Sequence, residues 1–209
     1  MKKGEKRKQD LLRIAYKLFL SRGYENTSVD DIIEEAGIAK GTYYYYFESK
    51  EQTLEEVIGM MMEAEKKRAE QVLKSDLAVP QKIAGIVASL RPAQDELPIG
   101  DALNRPENIL MHNKIRRRLL ETVVPLLSAA VEEGVEKGLF TCDDIPERVR
   151  MLLIISSDLF DEGRFTAREV AVFIDMTEKL LGAEKGTMDF IKALIRQEGE
   201  NSEKREQFQ

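Results

Sequence analysis

Apolar residues recur along nearly the whole chain at the three- and four-residue spacing of a helix. Nowhere do they alternate with polar ones in the β-branched, turn-bounded stretches from which a sheet is made. That regularity confines the fold to an all-α architecture. Leu11, Ile14, Ala15, Leu18 and Phe19 lay one stripe along a helix from about Lys6 to Arg22, and Gly23 stops it as a C-cap. Thr27 or Ser28 caps a second helix, with Asp30 and Asp31 in its positive first turn and Val29, Ile32, Ile33 and Ala36 as its inner edge. Ala36-Gly37-Ile38 makes a tight turn, and a short helix follows from Lys40 to Phe47. Ser49 to Gln52 then has the spacing of a capping box for a fourth helix running towards residue 74.

Beyond that point Pro80 reads as a helix start, and residues 91–106 as a Pro-rich polar loop. Long apolar helices are expected at roughly 112–138, 146–162 and 166–182. Pro125 should bend the first of these rather than end it, because apolar spacing resumes at Leu126, Leu127, Ala130 and Val131. A last helix is expected near 187–198. The reading is therefore three short helices in residues 1–50, a helical body over 51–200 and a disordered polar tail at 201–209, with about nine to ten helices in all.

Charge is unevenly shared. The net charge of −6 is unpromising for a nucleic-acid binder, yet residues 1–50 carry 10 Lys and Arg against 8 Asp and Glu, leaving 22 against 30 for the remainder. Phosphate neutralisation is the sequence-independent part of DNA affinity, so the N-terminal end is where a duplex would dock. No apolar run approaches the roughly 20 residues of a membrane span, and the Lys-rich start lacks the apolar block of a secretory signal; a cytoplasmic protein is expected. Cys142 is the single cysteine, and no His and Cys cluster has metal-ligand spacing, so neither a metal nor a cofactor is expected.

Residues 28–47 are the most informative stretch. A short helix, a turn at Gly37 and a second short helix are the parts of a motif whose second helix lies in a major groove. That second helix reads Lys40-Gly41-Thr42-Tyr43-Tyr44-Tyr45-Tyr46-Phe47, and four consecutive tyrosines spread around its circumference cannot all face one core. Tyr43 and Phe47 can point inward together, leaving Lys40/Tyr44, Gly41/Tyr45 and Thr42/Tyr46 on the surface. Their hydroxyls and ammonium can donate to phosphates, the rings and the Thr42 methyl can touch thymine methyls, and Gly41 lets the backbone come close to DNA.

From Leu11 to Val57 the chain resembles the DNA-binding domain of the tetracycline-repressor (TetR) family. The resemblance rests on Ala15, Phe19, Gly23, Tyr24, Thr27, Ile32, Ala36-Gly37-Ile38, Lys40-Gly41-Thr42, Tyr44, Tyr45, Phe47 and Lys50-Glu51. It implies a sequence-specific transcriptional regulator, a repressor released from a palindromic operator by a small-molecule effector. It further implies DNA contacts from Lys40, Gly41, Thr42, Tyr44 and Tyr45, with Ser28 and Lys50 on flanking phosphates. Tyr46, where the family often has histidine, is a further phosphate candidate. Tyr43 takes a position usually held by a bulky apolar residue and is assigned to packing.

The same resemblance implies a homodimer joined through the helices near 146–162 and 166–182, whose apolar residues exceed what one stripe requires. An effector pocket would lie between the connector helix and the body, with Met60, Met61, His112 and Phe160 as candidate lining residues. Core filling is the competing reading for the methionines, and a structural or exposed role for His112. Arg116 to Arg118 read as surface ion-pair partners. Cys142, beside Asp143 and Asp144, lacks the positive surroundings that activate a thiol. The rival readings are a helical adaptor that binds protein through the same motif, and an enzyme using Cys142 and His112. The latter would have only one histidine for its base.

Overall fold

A computed structural model describes residues 3–90, 99, 109–160 and 165–195. Every regular element among them is helical. They are α1 (Lys3–Arg22), α2 (Val29–Ala36), α3 (Lys40–Tyr46), α4 (Lys50–Leu73), α5 (Val79–Ser89), α6 (Ile109–Glu136), α7 (Ile145–Phe160) and α8 (Ala167–Leu181). None is long and apolar enough to cross a membrane. The polar loop expected at 91–106 and the tail expected at 201–209 lie outside the described residues, save for Ile99. The expected last helix is turn structure from Lys185 to Phe190 and helical from Ile191 to Ile195, its remaining residues again falling outside.

The chain forms two compact units. The first holds the residues up to Glu65 together with those that end at Leu119; the second holds Lys66 to Leu90 and the chain from Leu120 onward. Helices α4 and α6 therefore each contribute to both. The core of the first unit is built on Leu11, Ala15, Phe19, Ile32, Tyr43, Phe47, Leu54 and Val57, all nearly inaccessible to solvent. Burying side chains of this kind stabilises by about 1.5–3 kcal/mol each for the larger apolar ones, which is why the helical stripe dictates the packing. Met111, Ile115 and Leu119 of α6 pack against the same cluster. Lys114 on that helix is ion-paired to Glu55 of α4, and the Arg118 guanidinium lies against Gly59, 3.0 Å from where a Cβ would stand.

In the second unit Pro125 does not end α6, because the flanking residues Val123, Leu126, Leu127, Ala130 and Val131 are all buried. The Phe140 ring lies over Gly134 where no Cβ would fit, and Lys82 is paired to Glu133 at 2.7 Å. Phe160 and Phe173 meet edge-on with ring centres 5.3 Å apart, beside Phe165 and Ile195. Thr166 caps α8 in a reciprocal box with Glu169. Past Gly182, the Glu178 carboxylate accepts from the backbone N–H groups of Gly186 and Met188 at 2.7 and 3.1 Å.

Candidate nucleic-acid interface

Each element that carries the interface is locally terminated by the residue its sequence offers for the purpose. Gly23 adopts φ +81° and ends α1. Thr27, fully buried, donates from its hydroxyl to the Gly23 carbonyl at 2.8 Å. Ser28 is the N-cap of α2: its hydroxyl accepts from the Asp31 N–H at 3.1 Å, and the Asp31 carboxylate accepts from the Ser28 N–H at 2.7 Å. The Ser28 hydroxyl also donates to that carboxylate at 2.5 Å, and this bond, with the one from the Ser28 N–H, holds the Asp31 carboxyl below the usual carboxylate range. Gly37 then takes a left-handed conformation, φ +59°, and with Ile38 returns N–H groups to the Glu34 and Ile33 carbonyls. Between Ser28 and Phe47 the chain thus makes helix, turn and helix with two residues, Ile38 and Ala39, between Gly37 and the start of α3.

Helix α3 is divided by depth. Tyr43 and Phe47 are buried, their rings 5.4 Å apart, and the Tyr43 hydroxyl is hydrogen-bonded to the buried Thr53 hydroxyl, which in turn donates to the Ser49 carbonyl at 3.0 Å. Burial pushes the Tyr43 phenol up, so it stays neutral as a packing residue. Tyr44 is 47% exposed and Tyr45 81%. Lys40 and Gly41 are exposed as well.

Thr42 and Tyr46 differ from expectation: both are half-buried rather than open. Successive helical residues are rotated by about 100°, so Tyr46, three after Tyr43, comes back to within about 60° of the buried edge. Its ring packs on the core cluster and stands edge-on to Tyr45 at 4.9 Å, and its hydroxyl lies beside Gly4 at the start of α1.

The flanking candidates are tied to the protein. Lys50, the first residue of α4, donates to the Tyr24 carbonyl at 3.0 Å and holds its ammonium 4.1 Å from the centre of the Tyr24 ring. Burial, then the neighbouring Glu51 and Glu25 charges, push the Tyr24 phenol well up. Ser49 accepts from the Gln52 N–H at 3.1 Å as a capping box requires, but the Gln52 side chain reaches the Glu48 N–H instead of that of Ser49. Lys40 is paired to Asp30 at 3.0 Å, which raises its ammonium pKa. The sequence marks Asp30 only as a helix-dipole residue, and no local signal brings it to Lys40, ten positions on.

The candidate effector residues are dispersed. Met60 and Met61 are half-buried against the first unit's core, in which Met62 is buried, and His112 is half-buried on α6 in that unit. Phe160 belongs to the second unit, packed edge-on against Phe165 and Phe173. Cys142, also in the second unit, does have a positive neighbour in Arg148, contrary to expectation; burial outweighs it and pushes the thiol up, away from the reactive thiolate. Among the described residues no group of three or more His, Cys, Asp or Glu is disposed to hold a metal ion.

Residues 11–57 match the family of bacterial regulatory proteins, tetR family. The HTH-type transcriptional repressor KstR2 of Mycolicibacterium smegmatis is 29% identical over 148 residues, 66% of this chain and 69% of that one. The fatty acid metabolism regulator protein of Bacillus subtilis is 27% identical over 146 residues, 66% and 73% of the two chains. The fold is that of a TetR-family transcriptional regulator from Mesorhizobium loti, which superposes with a TM-score of 0.59 at 15% identity over 97% of this chain and 95% of the other. With the helix-turn-helix of α2 and α3 lying inside the segment that matches the tetR family, the chain is a DNA-binding transcriptional regulator similar to that family over its N-terminal segment.

Proposed function

We propose that this regulator is a repressor that grips a palindromic operator as a homodimer and leaves it when a small-molecule effector binds. The observation that carries the reading is the partition of the tyrosines. Tyr43 and Phe47 anchor α3 to the core, while Tyr44 and Tyr45 stand open to solvent beside Lys40 and Gly41. A buried edge makes the helix rigid, and the open edge is free to enter a groove. In this reading Lys40, Gly41, Thr42, Tyr44 and Tyr45 touch the duplex, and Ser28, Tyr46 and Lys50 meet flanking phosphates. Lys50 then exchanges or shares its Tyr24 carbonyl, and Tyr46 uses only its hydroxyl edge.

Repression is supported by the named function of KstR2. The dimer is supported by apolar side chains left open on α7 and α8, namely Met151, Ile154, Ile155 and Val172. The effector is proposed to act through Met60, Met61 and His112, all in the first unit, by binding the DNA-free state more tightly than the DNA-bound one; a ligand with equal affinity for both would release nothing. Residues 1–50 carry the DNA role and 51–200 the effector and dimer roles. A protein acting on the genome this way works in the cytoplasm, and no catalytic step is assigned to it.

Selecting bound duplexes from a random pool, followed by gel shifts, tests the reading. An inverted repeat is expected, with Tyr44→Ala and Tyr45→Ala each weakening binding and Lys50→Ala reducing the salt dependence by about one ion. Retention of full affinity by Tyr44→Ala and Tyr45→Ala would remove α3 from the interface.

A further inference from the structure

Lys40 begins the recognition helix and Asp30 lies in the first turn of α2, and their side chains, 62% and 73% exposed, meet at 3.0 Å. An exposed ion pair of this kind adds little to stability. The other acidic residue of that turn, Asp31, is accounted for by the Ser28 cap and by Arg22 at 3.4 Å. Asp30 makes no cap, and with α3 in a groove its carboxylate would face the negative charge of the duplex. Unless something on the nucleic acid offers it a hydrogen, Asp30 only opposes binding.

The first residues of a recognition helix are those that reach base edges. There the pair offers a cationic donor and an anionic acceptor, one hydrogen-bond length apart. The major-groove edge of a G·C pair offers the complement: adjacent acceptors at guanine N7 and O6, then the amino donor at cytosine N4. An A·T pair places the adenine amino donor where guanine has O6 and the thymine O4 acceptor where cytosine has its amino group, so the ammonium meets a donor and the carboxylate an acceptor.

We infer that Asp30 is a specificity-determining residue that works with Lys40 to read one G·C base pair in each half-site, Lys40 donating to guanine and Asp30 accepting from the cytosine amino group. The inference rests on the proposed groove-facing role of α3.

The test uses the full-length protein and a selected operator in which each base pair of the half-site is changed in turn, symmetrically in both halves. The parent is expected to lose about tenfold or more in affinity when one particular G·C becomes A·T. In Asp30→Ala and Lys40→Ala that loss should shrink to within about twofold, while the losses at other positions stay as in the parent. The double variant should be no less selective at that position than either single one, because the two side chains act as a unit. If Asp30→Ala shifts the affinity for every duplex by one common factor and leaves all base preferences in place, Asp30 acts only through its net charge and the inference is wrong. If the parent selects a half-site with no such G·C dependence, it is wrong as well. If instead the parent binds its operator but Tyr44→Ala and Tyr45→Ala bind as well as it does, the groove-facing reading of α3 has failed, and the inference with it.

Discussion

Gly41 occupies an ordinary helical position, and a Cβ built there meets nothing within 4 Å beyond its own turn of helix. Alanine would fit it and favours a helix by about 0.5–1 kcal/mol over glycine. The open space over Gly41 is therefore not required by packing within the described residues. Gly41→Ala is expected to raise stability by about 0.5–1 kcal/mol in urea unfolding. The same substitution should cost about tenfold or more in operator affinity by gel shift, the scale of one lost base contact. A variant both more stable and equally tight would clear Gly41 of any role in docking. The roles of Tyr43 and Phe47 were legible from their four-residue spacing, since a helix has only one buried edge. The half-burial of Tyr46 was not, because that depends on how closely α3 lies on the core, and the pairing of Lys40 with Asp30 depends on how α2 crosses α3.

Among the elements, α2 shows how much local chemistry decides. Its cap, its first-turn acids and its terminal glycine are all short-range, and all three appear where the sequence puts them. The Asp31 carboxyl titrates below its ordinary value because Ser28 donates to it. A carboxyl depressed in the folded state contributes stability that is fully present above the unfolded pKa, about 3.9, and is lost as pH falls through the lower folded value. Ser28→Ala is expected to cost about 1 kcal/mol near neutral pH and to flatten the loss of stability below about pH 4, measured by urea unfolding across that range. An unchanged acid limb would show that the box does not form in solution. Glu169, depressed by Thr166 at the start of α8, predicts the same signature for Thr166→Ala. Less legible were the start of α1, three residues earlier than the apolar stripe indicates, and the turns at 185–190 that replace the first part of an expected helix.

On the scale of the whole molecule, the unit that carries the recognition helix is discontinuous in sequence. Ile115 of α6 is half-buried on the same cluster as Leu54 and Val57. Ile115→Ala is expected to cost about 1–2 kcal/mol, below the range for a fully buried isoleucine. It should also speed amide exchange in α4 around Val57, although the two positions are far apart along the chain. Exchange confined to α6 would contradict this packing. For the proposed dimer, exposed Met151 and Ile155 provide the handle. The parent is expected to sediment at twice its 23.9 kDa chain mass and Met151→Glu with Ile155→Glu at the chain mass, with operator affinity lost together with the dimer. A double variant that stays dimeric would move the interface away from α7.

The sequence alone determined the helical class, the caps and turn of residues 23–39, and which two aromatics of residues 40–47 face inward. Each of these follows from interactions within about one helical turn, and such interactions are encoded by neighbours along the chain. Only the tertiary structure decided that Asp30 meets Lys40, that Lys50 is held by Tyr24 and that α6 completes the core beneath the helix-turn-helix. Those contacts join residues brought together by helix packing, whose crossing angles and depths are set by the summed burial of many side chains rather than by any local pattern.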